Sequence, residues 1–279
     1  MDIHQTLTRL GLDPKKSLGQ NFMVEDAALR KLIDAADLSP SDAVLEIGPG
    51  LGALTDKLIG QVRRLVAVEI DQRFVPHLRD RYSDWPHIEI VQADILQSDV
   101  CALLGPDVDR YKVIANLPYY ITSAILRYLL EGACPPSLLV VTVQYEVAQR
   151  LTAKPGDMSL LAVGVQFYGT PQIAGRLKAG NFYPAPNVDS AVVKITSHPA
   201  GPPLAGEARQ RFFRIARAGF SQPRKQLRNS LSAGLRLSPD DVVDWLAAAE
   251  IDARRRPETL TIADWLALYH AADSRLNTS

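Results

Sequence analysis

Short apolar runs, each followed by a helical pattern, limit what this chain can fold into. "AVLEI" (43–47), "LVAVE" (65–69), "IEIVQ" (88–92), "KVIAN" (112–116) and "LLVVTV" (138–143) have strand length and little polar alternation. That is the pattern of strands buried on both faces. Amphipathic segments near 53–60, 72–82 and 123–131 lie between them. Strands alternating with helices predict an α/β fold, a parallel sheet with helices on both faces. "LLAVGVQFYG" and "AVVKITS" follow with little helix between them and read as an antiparallel pair finishing the sheet.

"SHPAGPPLAG" (197–206) breaks the pattern, and its prolines and glycines suit a linker. Beyond it "EARQRFFRIARAGF", "DDVVDWLAAAE" and "TIADWLALYHAA" carry helical spacing, and Ser238-Pro239 is an N-cap followed by proline at the first helical position. The expected division is an α/β domain over 1–200 and a helical domain over 201–279. A hydrophobic content of 47% supports a core, and no apolar run is long enough to span a bilayer. The N-terminus lacks an apolar signal core. Cys101 and Cys134 show no metal-ligand spacing and read as reduced thiols, so a cytoplasmic protein without a metal is expected.

A formal net charge of +0 argues against a nucleic-acid partner. The distribution of charge argues otherwise. Arg209, Arg211, Arg214, Arg217, Arg224, Lys225 and Arg228 lie in a stretch without a carboxylate. Phosphate binding depends on the local field, so this stretch reads either as an RNA-facing surface or as a solvated helix face.

The first strand runs into "EIGPGLGALT". Gly48, Gly50 and Gly52 let the backbone turn sharply and approach a ligand. A dinucleotide site would need its third glycine one residue later. Glu69 ends the second strand and Asp94 follows the third, so both belong at the crevice outside the carboxyl ends of a parallel sheet. Glu69 is expected to accept from ribose hydroxyls and Asp94 from an adenine amino group. With no basic phosphate clamp on the loop, the set suits S-adenosylmethionine, a nucleoside without phosphate.

The fourth strand ends in "NLPYYITS", residues 116–123. An adenine amino nitrogen is a poor nucleophile because its lone pair is delocalised into the ring. Acceptors on both N–H groups favour a pyramidal nitrogen. The Asn116 side-chain oxygen and the Leu117 carbonyl, fixed by Pro118, are placed to accept, and Tyr119 to stack on the base. An ordinary proline turn before a capped helix would explain Pro118 but not an asparagine followed by an aromatic.

At these residues the chain resembles the ribosomal RNA adenine N6,N6-dimethyltransferases, the kasugamycin-sensitivity family. "KKSLGQNFMVE" (15–25), "EIGPGLGALT", "VEID", "QADIL", "NLPYYITS", "NFYPAPNVDSAVV" (181–193) and "FSQPRKQLRNSL" (220–231) follow in family order. The resemblance implies a Rossmann-like class I S-adenosylmethionine-dependent methyltransferase sheet with a small helical C-terminal RNA-binding domain. It implies that Asn21, Met23, Gly48, Gly50, Glu69, Asp94 and Asn116 contact the cofactor. It places Phe182 on the opposite face of the adenine from Tyr119, beside Asn116, Leu117 and Pro118. Arg224, Lys225 and Arg228 would contact RNA, although Pro223 stands where the family often has arginine. The implied reaction is dimethylation of two adjacent adenosines in the 3′-terminal hairpin loop of 16S rRNA within the small subunit, with a role in subunit biogenesis. A monomer is expected.

Besides a nicotinamide-dinucleotide dehydrogenase, which the glycine spacing disfavours, two alternatives stay open. One is a 23S rRNA adenine N6-methyltransferase giving macrolide resistance, which shares the cofactor motifs. The other is a non-catalytic ribosome-assembly factor with a vestigial pocket.

Overall fold

The computed structural model describes residues 2–222 and 224–272, so Pro223 lies outside the described residues. Its strands are β1 (Phe22–Met23), β2 (Ala43–Ile47), β3 (Arg64–Glu69), β4 (Ile88–Gln92), β5 (Tyr111–Asn116), β6 (Leu138–Gln144), β7 (Gly169–Leu177), β8 (Phe182–Tyr183) and β9 (Ser190–Ser197). A seven-stranded sheet has the order β4-β3-β2-β5-β6-β9-β7, and β1 pairs with β8 in a separate two-stranded sheet. Strands β2 to β6 run parallel, and β9 runs antiparallel to β6. Growth of the sheet reverses at β2, which has β3 on one side and β5 on the other. A reversal of this kind opens a crevice at the carboxyl ends of the two flanking strands.

By compactness the chain divides into two units, one of Met1–Gln149 with Thr170–Pro199 and one of Arg150–Gly169 with Ala200–Ser279. The segment Arg150–Gly169 therefore belongs with the C-terminal helices, whereas the sequence reading put it with the sheet. Its apolar stretch explains the difference. "LLAVGVQ" is the helix Leu160–Gln166, not a strand, and Ser159 caps it by accepting from the Ala162 amide. A short apolar run carries no periodicity that separates a buried helix from a strand. The strand that does neighbour β9 is β7, whose mixed polar sequence hid it.

In the first unit the helix Asp26–Ala36 buries Ala28, Leu29, Leu32 and Ala36, one stripe at helical spacing, against β5, β6 and β9. Leu32 is fully enclosed with Leu58, Leu65, Ile114, Val140 and Val192, and burial of such a side chain contributes about 1.5–3 kcal/mol. A second cluster joins Ile3 and Leu7 of the helix Ile3–Leu10 to Phe22, Leu51, Phe74, Leu78 and Tyr82. Strand β4, read from sequence as buried, is the sheet edge and is only partly covered.

In the second unit Phe167 packs on Phe212 and Phe213, with ring centroids 4.7 and 5.1 Å away. Ser238 caps the helix Pro239–Ala248 as its sequence predicts.

Cys101 and Cys134 are bonded to each other, which corrects the expectation of reduced thiols. Their Cα atoms stand 5.7 Å apart, within the usual span of a disulfide. Tyr128 donates to the Ser98 carbonyl, which links the two segments, and Tyr111 donates to the Cys134 carbonyl. A separation of 33 residues concealed that proximity.

Candidate active site

The crevice at the β2/β5 reversal holds a small, partly open cavity of about 70 Å³. Four pieces of chain form its wall. The first is the turn after β2, where Gly48 and Gly50 have φ of 69° and 57°. A side chain at Gly50 would also meet the Phe22 ring, 2.8 Å from the Cβ position. Only glycine adopts this backbone without strain while letting the loop approach so closely.

The second piece is the end of β3. Glu69 is 4% exposed and holds the loop through a hydrogen bond accepted by Oε2 from the Gly50 amide at 2.9 Å. Its Oε1 accepts from the Asp71 amide at 2.8 Å. Burial raises the Glu69 pKa, and those amides oppose the shift. Each carboxylate oxygen keeps further acceptor capacity. Asp71 sits next along, its carboxylate gripped by Arg73 at 2.6 and 2.9 Å and by Gln20 Nε2 at 2.9 Å. Arg73 first, then Gln20, hold it well below the usual carboxylate range. Through Gln20 this acid ties the N-terminal segment to the end of β3, and Leu18, Gly19, Gln20, Asn21 and Phe22 of that segment form a further piece of the wall.

The third piece is the corner after β5. Asn116, Leu117, Pro118 and Tyr119 line the cavity. Asn116 Nδ2 donates to the Asn21 carbonyl at 2.8 Å, and Asn116 Oδ1 accepts from Thr142 Oγ1 at 2.5 Å. The Pro118 carbonyl accepts from the Ile121 amide and the Thr122 hydroxyl, which fixes the turn into the helix Thr122–Glu131. The Leu117 carbonyl accepts no hydrogen bond among the described residues. The Tyr119 hydroxyl pairs with Ser190 Oγ at 2.7 Å, so the ring is held at its far end.

Of the sequence-derived set, the structure thus brings Asn21, Gly48, Gly50, Glu69, Asn116, Leu117, Pro118 and Tyr119 to one cavity. Met23, Phe182 and Asp94 are not on its wall. Met23 and Phe182 face each other in the β1–β8 pair and are 4% and 3% exposed in the core. Asp94 turns its carboxylate onto its own turn, accepting from the Leu96 amide and Gln97 Nε2 at 3.0 and 3.1 Å. Sequence reasoning did not single out Gln20, Asp71, Thr142 or Ser190. A hydroxyl inside the apolar "LLVVTV" was the available signal for Thr142, because a buried polar group needs a partner.

No lysine, arginine or histidine is among the residues lining the cavity, so the wall suits a nucleoside without phosphates. Among the described residues no group of three or more metal-ligating side chains comes together, and no helix is long and apolar enough to cross a membrane.

In the second unit, described by itself, Arg214, Arg217, Arg224, Lys225 and Arg228 are exposed. None of Arg224, Lys225 and Arg228 has an ion pair among the described residues, whereas Arg254, Arg255 and Arg256 pair with Asp252, Asp264 and Glu258.

Residues 11–274 match the family model described as ribosomal RNA adenine dimethylase. The chain is 44% identical over 254 residues to the ribosomal RNA small subunit methyltransferase A of Dehalococcoides mccartyi (strain CBDB1), covering 91% of this chain and 87% of that one. Among solved structures, a dimethyladenosine transferase from Plasmodium falciparum superposes with a TM-score of 0.77 at 24% identity, over 91% of this chain and 98% of that one. The 23S rRNA methyltransferase ErmE superposes with a TM-score of 0.71 at 29% identity, over 91% of this chain and all of that one, 100%.

Proposed function

The chain belongs to the ribosomal RNA adenine dimethylase family, and on that premise we propose how its own residues serve methyl transfer. It is an S-adenosylmethionine-dependent rRNA adenine dimethyltransferase, and the bound cofactor supplies an electrophilic methyl group on a sulfonium. The observation that carries the assignment of residues is the convergence of four wall segments on one cavity whose described lining residues include no cation. Gly48 and Gly50 let the backbone approach the cofactor, and Glu69 offers carboxylate oxygens to ribose hydroxyls. Asn21 meets the cofactor from the N-terminal segment. Asn116 Oδ1 and the free Leu117 carbonyl accept the two N–H groups of the adenine amine, leaving its lone pair available. Tyr119 stacks on the base. Positioning and oriented dipoles carry the rate enhancement, and no general base is needed because the ammonium product loses its proton readily. Met23 and Phe182 enter this reading as packing behind the N-terminal segment of the wall, and Asp94 as the acceptor for the cofactor's adenine amino group.

The substrate is the pair of adjacent adenosines in the 3′-terminal hairpin loop of 16S rRNA in the small subunit, bound by a cytoplasmic monomer, with a role in subunit biogenesis. The naming of the 44% identical relative as a small-subunit methyltransferase supports this choice over large-subunit RNA. Arg224, Lys225 and Arg228 contact RNA phosphates, and the helical domain after residue 200 carries that role.

Incubation with labelled methyl donor and unmethylated small subunits, followed by nucleoside analysis, tests the reading. N6,N6-dimethyladenosine in small-subunit RNA is the expected product. Label on large-subunit RNA alone would select the 23S alternative, and no label on either would select a non-catalytic factor.

A further inference from the structure

We propose that Thr142 is a positioning residue for methyl transfer, acting through the Asn116 carboxamide. This rests on the reading of Asn116 as an acceptor for the adenine amine.

Strand β6 reads "LLVVTVQ", and Thr142 within it is 0% exposed. A hydroxyl there loses water and must find a protein partner, since leaving it unmade costs about 1–3 kcal/mol. The β5–β6 register sets Thr142 directly beside Asn116. Neighbours in register on parallel strands project to the same face of the sheet. Thr142 Oγ1 accordingly donates to Asn116 Oδ1 at 2.5 Å.

The other end of the amide is equally constrained. Asn116 Nδ2 donates to the Asn21 carbonyl at 2.8 Å. Turning the amide over would set Oδ1 against that carbonyl oxygen, and neither atom has a hydrogen to give. Asn21 therefore decides which end is oxygen, and Thr142 stops the oxygen end from swinging. A carbonyl oxygen has two lone pairs. With Thr142 on one, a single lone pair remains for an incoming N–H. Its direction is set before substrate arrives by two partners, one of them on a central strand. Fixing an acceptor in advance is the form of preorganisation that raises turnover rather than affinity.

The test uses the full-length chain, saturating methyl donor and unmethylated small subunits. Thr142→Val keeps the shape and removes the donor, and Thr142→Ser keeps the donor. Val is expected to lower kcat about tenfold, the effect of one net hydrogen bond. The KM for subunits and the donor dissociation constant should stay within about twofold of wild type. Ser should restore kcat. In an Asn116→Ala background, adding Thr142→Val should change kcat by less than about twofold, because the group it acts through is gone. Melting temperatures accompany each variant, and Thr142→Ala against Thr142→Ser gives the same comparison should Val not fold. Wild-type kcat in Thr142→Val, equal losses in Ser and Val, or the same loss repeated in the Asn116→Ala background would each overturn the proposal. If Asn116→Ala itself turns over normally, the reading of Asn116 falls too. If Asn116→Ala is impaired and Thr142→Val is not, only the role of Thr142 falls.

Discussion

Glu46 lies just before the glycine turn, 1% exposed, with one oxygen accepting from Thr55 Oγ1 at 2.7 Å and the other without a partner among the described residues. Burial first, then the neighbouring Glu69 and Asp56, push its pKa from 4.5 up to about 8. Between those values the unfolded chain has released this proton and the folded chain keeps it. Its contribution is therefore complete below about pH 4.5 and is lost as pH rises through about 8. Glu46→Gln, neutral throughout, should flatten the fall of melting temperature across that window. Parallel profiles for variant and wild type would mean that Glu46 is ionised when folded. Asp71, held low by Arg73, slopes the other way and loses its contribution only as pH falls below the ordinary 3.8. Asn116 makes the chemical prediction. Asn116→Ala should retain RNA binding and lower methyl transfer about a hundredfold, the scale of one preorganised polar contact at a reacting group. A filter-binding constant beside single-turnover rates checks both halves, and equal turnover would remove Asn116 from the reaction.

The loop after β2 is the element most sensitive to a single methyl group. Gly50→Ala would place a side chain at φ 57° and 2.8 Å from the Phe22 ring. The left-handed backbone alone costs about 1–2 kcal/mol. Phe22 cannot retreat freely, because it is buried and packs edge-on against Phe74 at 5.7 Å. Equilibrium denaturation should show the loss of stability, and calorimetric titration should show weaker donor binding. Donor affinity unchanged in a destabilised Gly50→Ala would separate this loop from the cofactor site. The helix Leu160–Gln166 shows the opposite case, an element that sequence pattern misassigned. Its residues Ala162, Val163 and Val165 are buried, so no polar face betrayed the helical period.

Across the whole chain the charges cancel to +0, yet their pairing differs from place to place. The arginines at 254–256 are engaged by nearby acids, and Arg224, Lys225 and Arg228 have no ion pair among the described residues. Unpaired cations release counterions when they meet phosphates, and paired ones contribute less. Reversing both Arg224 and Lys225 to Glu should weaken RNA binding and reduce the slope of log affinity against log salt by about 1–2. An unchanged slope would return these residues to a solvated face.

Period and punctuation alone carried the strands β2 to β6, the glycine turn and the polar residues at strand ends, because a parallel sheet forces those ends to one edge. That was enough to bring Gly48, Glu69 and Asn116 together without coordinates. Contacts between distant segments were not legible, because nothing local records them. The Asn21 carbonyl meeting the Asn116 amide, the Thr142 hydroxyl behind it and the Cys101–Cys134 bond all arise from packing. So does the withdrawal of Met23 and Phe182 into the core, since pairing of β1 with β8 is what turns those side chains inward. Local sequence chose which groups reach the crevice, and tertiary packing decided which atoms of those groups remain free to act.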